Sequence, residues 1–351
     1  MHTKRYPLFI LLLILAATVP SRADKIDDYV RAEMERQHIP GLSLAVVKDG
    51  KIIKIEGYGL ANIELQTPAK PETIYKIGSI SKQFIATGIM LLLEEGKLSL
   101  EDKISKYLEG TPETWKDISI RHLLTHTSGI VREGPGFQAL KVQLDADVIR
   151  SAYPEALHFA PGEKWEYCNV GYFALAEIIF RVSGKPWADF MNERVFMPVG
   201  MSVTRTTTVK EIIANRADSY VWQNNKYYNA DELLALRPSG AFISNVLDLA
   251  KWDAALSTNN ILKQSSRDQM WTPVKLNNGQ SHPYGLGWFL SPIKGHKRVS
   301  HGGTLSGFRS EFARFVDDGL TIIVLTNCGS ANPESIALGV AAFYLPDLSR
   351  P

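Results

Sequence analysis

The chain has 351 residues, 45% of them hydrophobic and 22% charged, and a formal net charge of +2. That length suits one large domain or two smaller ones with an ordinary apolar core. Without Lys4, Arg5 and Arg22 the remainder sits at −1, which makes no electrostatic case for nucleic-acid or membrane-surface binding.

The first 23 residues read as an export signal. Lys4 and Arg5 precede a largely apolar run, Leu8 to Val19, and Ser21-Arg22-Ala23 has the small-x-small shape of a cleavage site. An uncleaved anchor is the competing reading. The run is short of the about 20 residues a bilayer span needs, so no stable span is expected after cleavage. No cysteine lies near the junction, which excludes a lipoprotein. The mature chain is expected to begin near Asp24 and to be exported, either periplasmic or secreted.

Next, Ile26 to Gln37 has helical spacing. Leu42 to Val47 and Lys51 to Tyr58 read as strands joined by Asp49-Gly50, a hairpin signal. Ser81 to Glu95 carries a helical apolar period stopped by Gly96. Shorter helices are predicted at Leu100 to Tyr107, Ile120 to Thr125, Val170 to Val182, Trp187 to Val195 and Asn245 to Leu256. Strands return at Gly285 to Leu290, Arg298 to His301, Phe308 to Val316 and Leu320 to Thr326, with Asp318-Gly319 as a second tight turn. Pro333 to Tyr344 closes the chain as a helix. The predicted fold is α+β. An antiparallel sheet is built from 24–75 plus 276–351, a mostly helical part spans 76–275, and a cleft lies between them. Cys168 and Cys328 are too few for a disulfide framework and read as small buried thiols.

Three segments carry chemistry. Gly78-Ser79-Ile80-Ser81-Lys82 sets a hydroxyl and an amine one helical turn apart. A serine becomes a nucleophile when a neighbouring base removes its proton, and a helix start favours the developing charge. Alone the pattern is weak: Ser291-Pro292-Ile293-Lys294 also matches but reads as a loop, and a plain N-cap serine is the bland alternative. Pro161 to Asn169 ends in Tyr167-Cys168-Asn169, a phenol and an amide that can face one cleft. Its decoy, Tyr227-Tyr228-Asn229, follows the turn Asn224-Asn225, and its tyrosines read as packing residues. Ser300-His301-Gly302-Gly303-Thr304 ends a strand with two glycines that let it pass close to a ligand; the bland reading is a softened strand end with a surface histidine.

In this order the three segments resemble the serine β-lactamases, penicillin-binding carboxypeptidases and related esterases. Flanking text resembles them too, at Leu123 to Gly129 and at Tyr284-Gly285-Leu286-Gly287-Trp288, and the likeness covers about 26 to 345. The resemblance implies an acyl-enzyme on Ser79, with Lys82 and Tyr167 managing its proton and the choice of base left open. A lysine accepts a proton only where burial depresses its pKa; one that stays charged lowers the pKa of a neighbouring phenol. The resemblance also implies that Asn169, His301, Gly303 and Thr304 hold substrate and that the amides of Ser79 and Thr304 form an oxyanion hole.

One departure matters. The third motif begins with His301 where a lysine holds the substrate carboxylate in the lactamase branch, and a histidine is mostly neutral at pH 7. That tilts the expectation toward the esterase and D-aminopeptidase-like branches of the family, and so toward small ester, amide or peptide substrates. Arg309 could replace the cation, although an exposed strand arginine is the simpler reading. A β-lactamase or D-alanyl-D-alanine carboxypeptidase is the alternative, and a penicillin-binding sensor with little turnover is the contrasting class. His122 and His126 read as structural; no metal and no cofactor are expected. A Gly-x-Ser-x-Gly elbow and a phosphate-binding glycine loop are both missing from the sequence. Pocket shape is assigned to loops 131–144 and 218–236.

Overall fold

In a computed structural model the described residues are 22–206, 211–231, 238–240 and 242–349. The predicted export signal falls almost wholly outside them, as does the end of the 218–236 loop. Helix α1 (Arg22–Gln37) leads into β1 (Gly41–Lys48) and β2 (Lys51–Asn62), then the short β3 (Thr67–Pro68) and β4 (Tyr75–Lys76). The middle contains α2 (Ser81–Glu94), α3 (Ile120–Leu124), α4 (Asp145–Ser151), α5 (Val170–Ser183), α6 (Trp187–Met191), the hairpin β5 (Tyr220–Gln223) and β6 (Lys226–Asn229), β7 (Ile243–Ser244), α7 (Val246–Leu256) and α8 (Gln264–Met270). The chain then adds β8 (Val274–Lys275), β9 (Ser281–His282), β10 (Phe289–Leu290), β11 (Arg298–Leu305), β12 (Phe308–Phe315) and β13 (Leu320–Thr326), and closes with α9 (Pro333–Ala342).

The two chain ends meet in one seven-stranded antiparallel sheet of order β10-β11-β12-β13-β1-β2-β3. Its central strands are apolar at nearly every position because both faces are covered. Leu42, Leu44 and Val46 of β1 with Leu320, Ile322 and Val324 of β13 pack toward α1 and α9. Ala45 and Val47 with Ile323 and Leu325 pack toward the helical part. The Asp49-Gly50 turn takes positive φ at both residues (50° and 74°), the twist a two-residue hairpin needs.

Helix α2 is buried from Ser81 through Leu92. Phe84 fixes its first turn, with its ring against Phe196, Phe242 and Trp252 at 5.1, 5.7 and 5.0 Å. Such aromatic packing makes a rigid platform for the residues just before it.

Three local expectations are corrected. Leu100 to Tyr107 is not a helix beyond one turn at Ile104–Lys106. The Asp102 carboxylate instead accepts from the Ser99 amide (3.0 Å) and the Tyr107 hydroxyl (2.5 Å), a side-chain alternative to helical bonding. Gly285 to Leu290 is strand only at Phe289–Leu290; the rest turns tightly, with Gly285 N bonded to Trp288 O at 2.8 Å. A β-carbon at Gly285 would lie 2.0 Å from Met270 O, so backbone packing dictates that turn. Asn224-Asn225 does form a hairpin turn, yet Tyr227 and Tyr228 are exposed, with Tyr227 edge-on to the Trp222 ring. Cys168 and Cys328 are buried and free.

Candidate active site

Ser79 lies in a single helical turn, Gly78–Ile80, that runs directly into α2. The turn is pressed against β11. Gly78 takes φ +55°, and a β-carbon on it would lie 2.6 Å from the Thr304 nitrogen; one on Gly303 would lie 2.0 Å from Ile77 O. Only glycines permit this approach. Ser310 Oγ, donating to Ile77 O at 2.8 Å, ties β12 to the same turn.

Lys82 is wholly buried one turn on. Its Nζ donates to Ser79 Oγ at 3.2 Å, Asn169 Oδ1 at 3.0 Å and Ser239 O at 2.8 Å. These bonds offset the desolvation of a buried amine. Asn169 Nδ2 donates to Glu133 Oε1 at 3.0 Å, which fixes its oxygen toward Lys82.

The segment carrying Tyr167 and Asn169 is held by backbone bonds on both sides. Gly162 N meets Thr127 O (2.8 Å), Glu166 N meets His126 O (2.9 Å), and Asn169 N meets Arg132 O (2.9 Å). His126 Nδ1 accepts from Cys168 N at 3.1 Å, and its ring lies 4.2 Å from that of Tyr167. Burial and then Lys82 hold the His126 imidazole well below its ordinary pKa, so it serves as an acceptor. His122 closes a capping box with Ser119 at the start of α3 and does not converge with His126. Among the described residues no group of three or more His, Cys, Asp or Glu is placed to hold a metal ion.

Tyr167 stands between two basic side chains. Lys82 Nζ is 4.7 Å and the Arg132 guanidinium 5.2 Å from its ring centre. Burial pushes the phenol above its ordinary value; the Ser79 hydroxyl and Arg132 pull it part of the way back. Ser79 is therefore near the phenol, although no hydrogen bond of ordinary geometry joins them.

His301 is buried, not on the surface. Burial, then Lys82, pushes its imidazole down to about 3, so it is neutral in the physiological range. Nδ1 donates to Gly302 O (2.7 Å), and Nε2 accepts from Tyr284 Oη (3.1 Å).

Two lobes open from Ser79. The first, about 640 Å³, is lined by Tyr167, Trp165, His301, Gly302 and Glu311 among others. The second, about 420 Å³, is lined by Asn169, Ser239, Val221 and Arg309. Ser79, Arg132 and Thr304 border both. Every candidate residue but Lys82 and Gly303 lines one of these lobes; Lys82 is buried against Ser79, and Gly303 packs on the Ile77 carbonyl. Arg309 is partly buried and donates to Gly329 O at 2.8 Å, which corrects the expectation of an exposed arginine. Sequence reasoning missed Arg132, Glu133, Ser239 and Glu311. The first two belong to the 131–144 loop, which it flagged as shaping the pocket.

This arrangement, a hydroxyl–amine pair at the junction of an antiparallel sheet and a helical part, defines a serine hydrolase. The β-lactamase family model matches residues 26–343, and the chain belongs to the β-lactamase family. Penicillin-binding protein 4* of Bacillus subtilis (strain 168) is 34% identical over 316 residues, covering 84% of this chain and 69% of that protein. The octameric penicillin-binding protein homologue from Pyrococcus abyssi has a TM-score of 0.81 at 27% identity, over 92% of this chain and 77% of that one. The D-amino acid amidase from Ochrobactrum anthropi SV3, complexed with L-phenylalanine amide, shares the fold with a TM-score of 0.81 at 22% identity, over 93% and 100%.

Proposed function

We propose that this chain is an exported hydrolase that cleaves small esters or amides, peptides included, through an acyl-enzyme on Ser79. The observation that carries the reading is the 3.2 Å contact between Lys82 Nζ and Ser79 Oγ at the floor of the cleft. Ser239 O can only accept, and Asn169 Oδ1 is held as an acceptor, so two N–H groups are committed and a further position is turned to Ser79. In its unprotonated form Lys82 keeps two N–H groups on Asn169 and Ser239 and turns its lone pair to Ser79, whose proton it takes as Oγ attacks the carbonyl carbon. The amides of Ser79 and Thr304 stabilise the oxyanion, each donor contributing about 3 kcal/mol. Tyr167, protonated at rest because burial raises its pKa, passes a proton to the leaving group. Water then releases the acyl group by the reverse route.

A panel of nitrophenyl esters, amino-acid amides and short peptides, run beside Ser79→Ala, tests this. The reading predicts turnover of at least one ester or amide, abolished in the variant; equal turnover by Ser79→Ala contradicts it. The export part of the reading rests on residues 1–23 and is checked by fractionating cells for the processed chain.

A second reading has its own support. Arg132 and Arg309 border the cleft and offer a carboxylate the cation that neutral His301 does not. Turnover of a chromogenic cephalosporin at rates near those on the best ester would put β-lactams or D-alanyl peptides first. A stable acyl adduct without release over hours would favour the sensor.

A further inference from the structure

Glu311 stands on β12 opposite Gly302 of β11. Strand alternation turns this pair toward the α1/α9 side of the sheet, whereas the neighbouring Gly303–Ser310 pair faces the turn that bears Ser79. Gly302 has no side chain, and Glu311 uses the space: a β-carbon there would lie 3.0 Å from Glu311 Oε2. β10 pairs with β11 only at Val299 and Ser300, so it does not cover this strand edge at Gly302. The carboxyl thus reaches the wall of the lobe that also contains Ser79, Gly302 and Thr304.

Glu311 is 4% exposed, and among the described residues it forms no ion pair. The nearby cation Arg298, which lines the same lobe, is engaged elsewhere, with Nη1 2.8 Å from Glu334 Oε1 and Nε donating to Ser291 O at 3.2 Å. Burial first, and Glu334 second, push the Glu311 carboxyl up to about 8, while Arg298 and the Ser300 hydroxyl pull it back in part. A buried carboxyl on a substrate cleft without a counter-ion is half of an ion pair. Arg132, on the Tyr167 side of the same lobe, and Arg309, in the second lobe, disfavour a positive group near them. His301, on the other face, is neutral. Of the carboxylates on the two lobes, Glu133 accepts from Asn169 and Glu334 is paired with Arg298, which makes Glu311 the one to receive an incoming cation.

We propose that Glu311 is the counter-charge for a protonated amine on the substrate, so that the cleft selects amine-bearing esters or amides over their uncharged analogues. This deepens the hydrolase reading and rests on it. An incoming ammonium completes the pair and lets the carboxyl ionise. Below about pH 8 the carboxyl must first release its proton, so the preference weakens as pH falls.

The test uses matched nitrophenyl-type or alkyl esters that differ only in a free amine against its N-acetyl form. One pair carries the group on the acyl side and one on the alcohol side. Wild-type protein is expected to favour the amine in one pair by about tenfold or more in kcat/KM. Glu311→Gln is expected to erase that preference, bringing the amine and N-acetyl esters to within about twofold of each other. No wild-type preference in either pair overturns the proposal, whether or not the variant folds; so does a preference that survives in folded Glu311→Gln. Failure of wild type to hydrolyse any of the esters would instead count against the hydrolase reading.

Discussion

The backbone nitrogen of Thr304 lies so close to Gly78 that a β-carbon there would approach it to 2.6 Å. This contact brings the third motif against the first, as the proposed oxyanion hole of the Ser79 and Thr304 amides requires. Gly78→Ala adds that carbon at a position of φ +55° and must push the turn off the strand. We expect kcat/KM to fall by about 10²–10³-fold, the loss of one oxyanion donor, with a stability loss of about 1–3 kcal/mol. Ester kinetics and urea unfolding check both.

Lys82→Met keeps the length of the side chain and removes the group facing Ser79. The expected result is a fall of about 10²–10⁴-fold in kcat with a much smaller change in KM. Asn169 Oδ1 and Ser239 O lose a donor as well, so chemical denaturation separates any loss of folding from loss of proton transfer.

His126 is read as a positioning residue. Its ring nitrogen and its carbonyl hold the amides of Cys168 and Glu166, on either side of Tyr167. His126→Ala strands the Cys168 amide, at about 1–3 kcal/mol of stability, and loosens the phenol, for which we expect about tenfold in kcat. His126→Asn keeps a side-chain acceptor and tolerates the positive φ of 59° at this position, so it should recover part of both.

Stability should carry a pH signature away from the site. His296 Nδ1 meets Asp318 at 2.8 Å and Nε2 meets Asp347 at 2.7 Å, which raise its pKa. The folded-state pKa lies above the unfolded one, so this contribution is full below about 6.5 and fades as pH rises through the folded value. The melting-temperature gap between wild type and His296→Gln is therefore expected to be widest in mild acid and to close in alkali.

Much of this was legible in residue patterns because β1 and β13, covered on both faces, read as unbroken apolar runs. The α2 period, the Asp49-Gly50 turn and the spacing of Ser79 and Lys82 were legible for similarly local reasons. Leu100 to Tyr107 misled because Asp102 bonds its neighbours in a way no apolar period reveals. Gly285 to Trp288 misled because its shape is dictated by Met270 and Lys82 packing beneath it. In the site, Ser239 contributes a main-chain carbonyl, which carries no residue-type signal. The same holds for Glu311: alternation shows a strand but not that Gly302 opens a path to the cleft.

The most direct measurement is intact-mass analysis after brief exposure to an excess of a fluorophosphonate. One added group per chain, mapped to Ser79, is expected, with no label on folded Ser79→Ala. Equal labelling of that variant, or modification mapped to another residue, would contradict a Ser79 nucleophile.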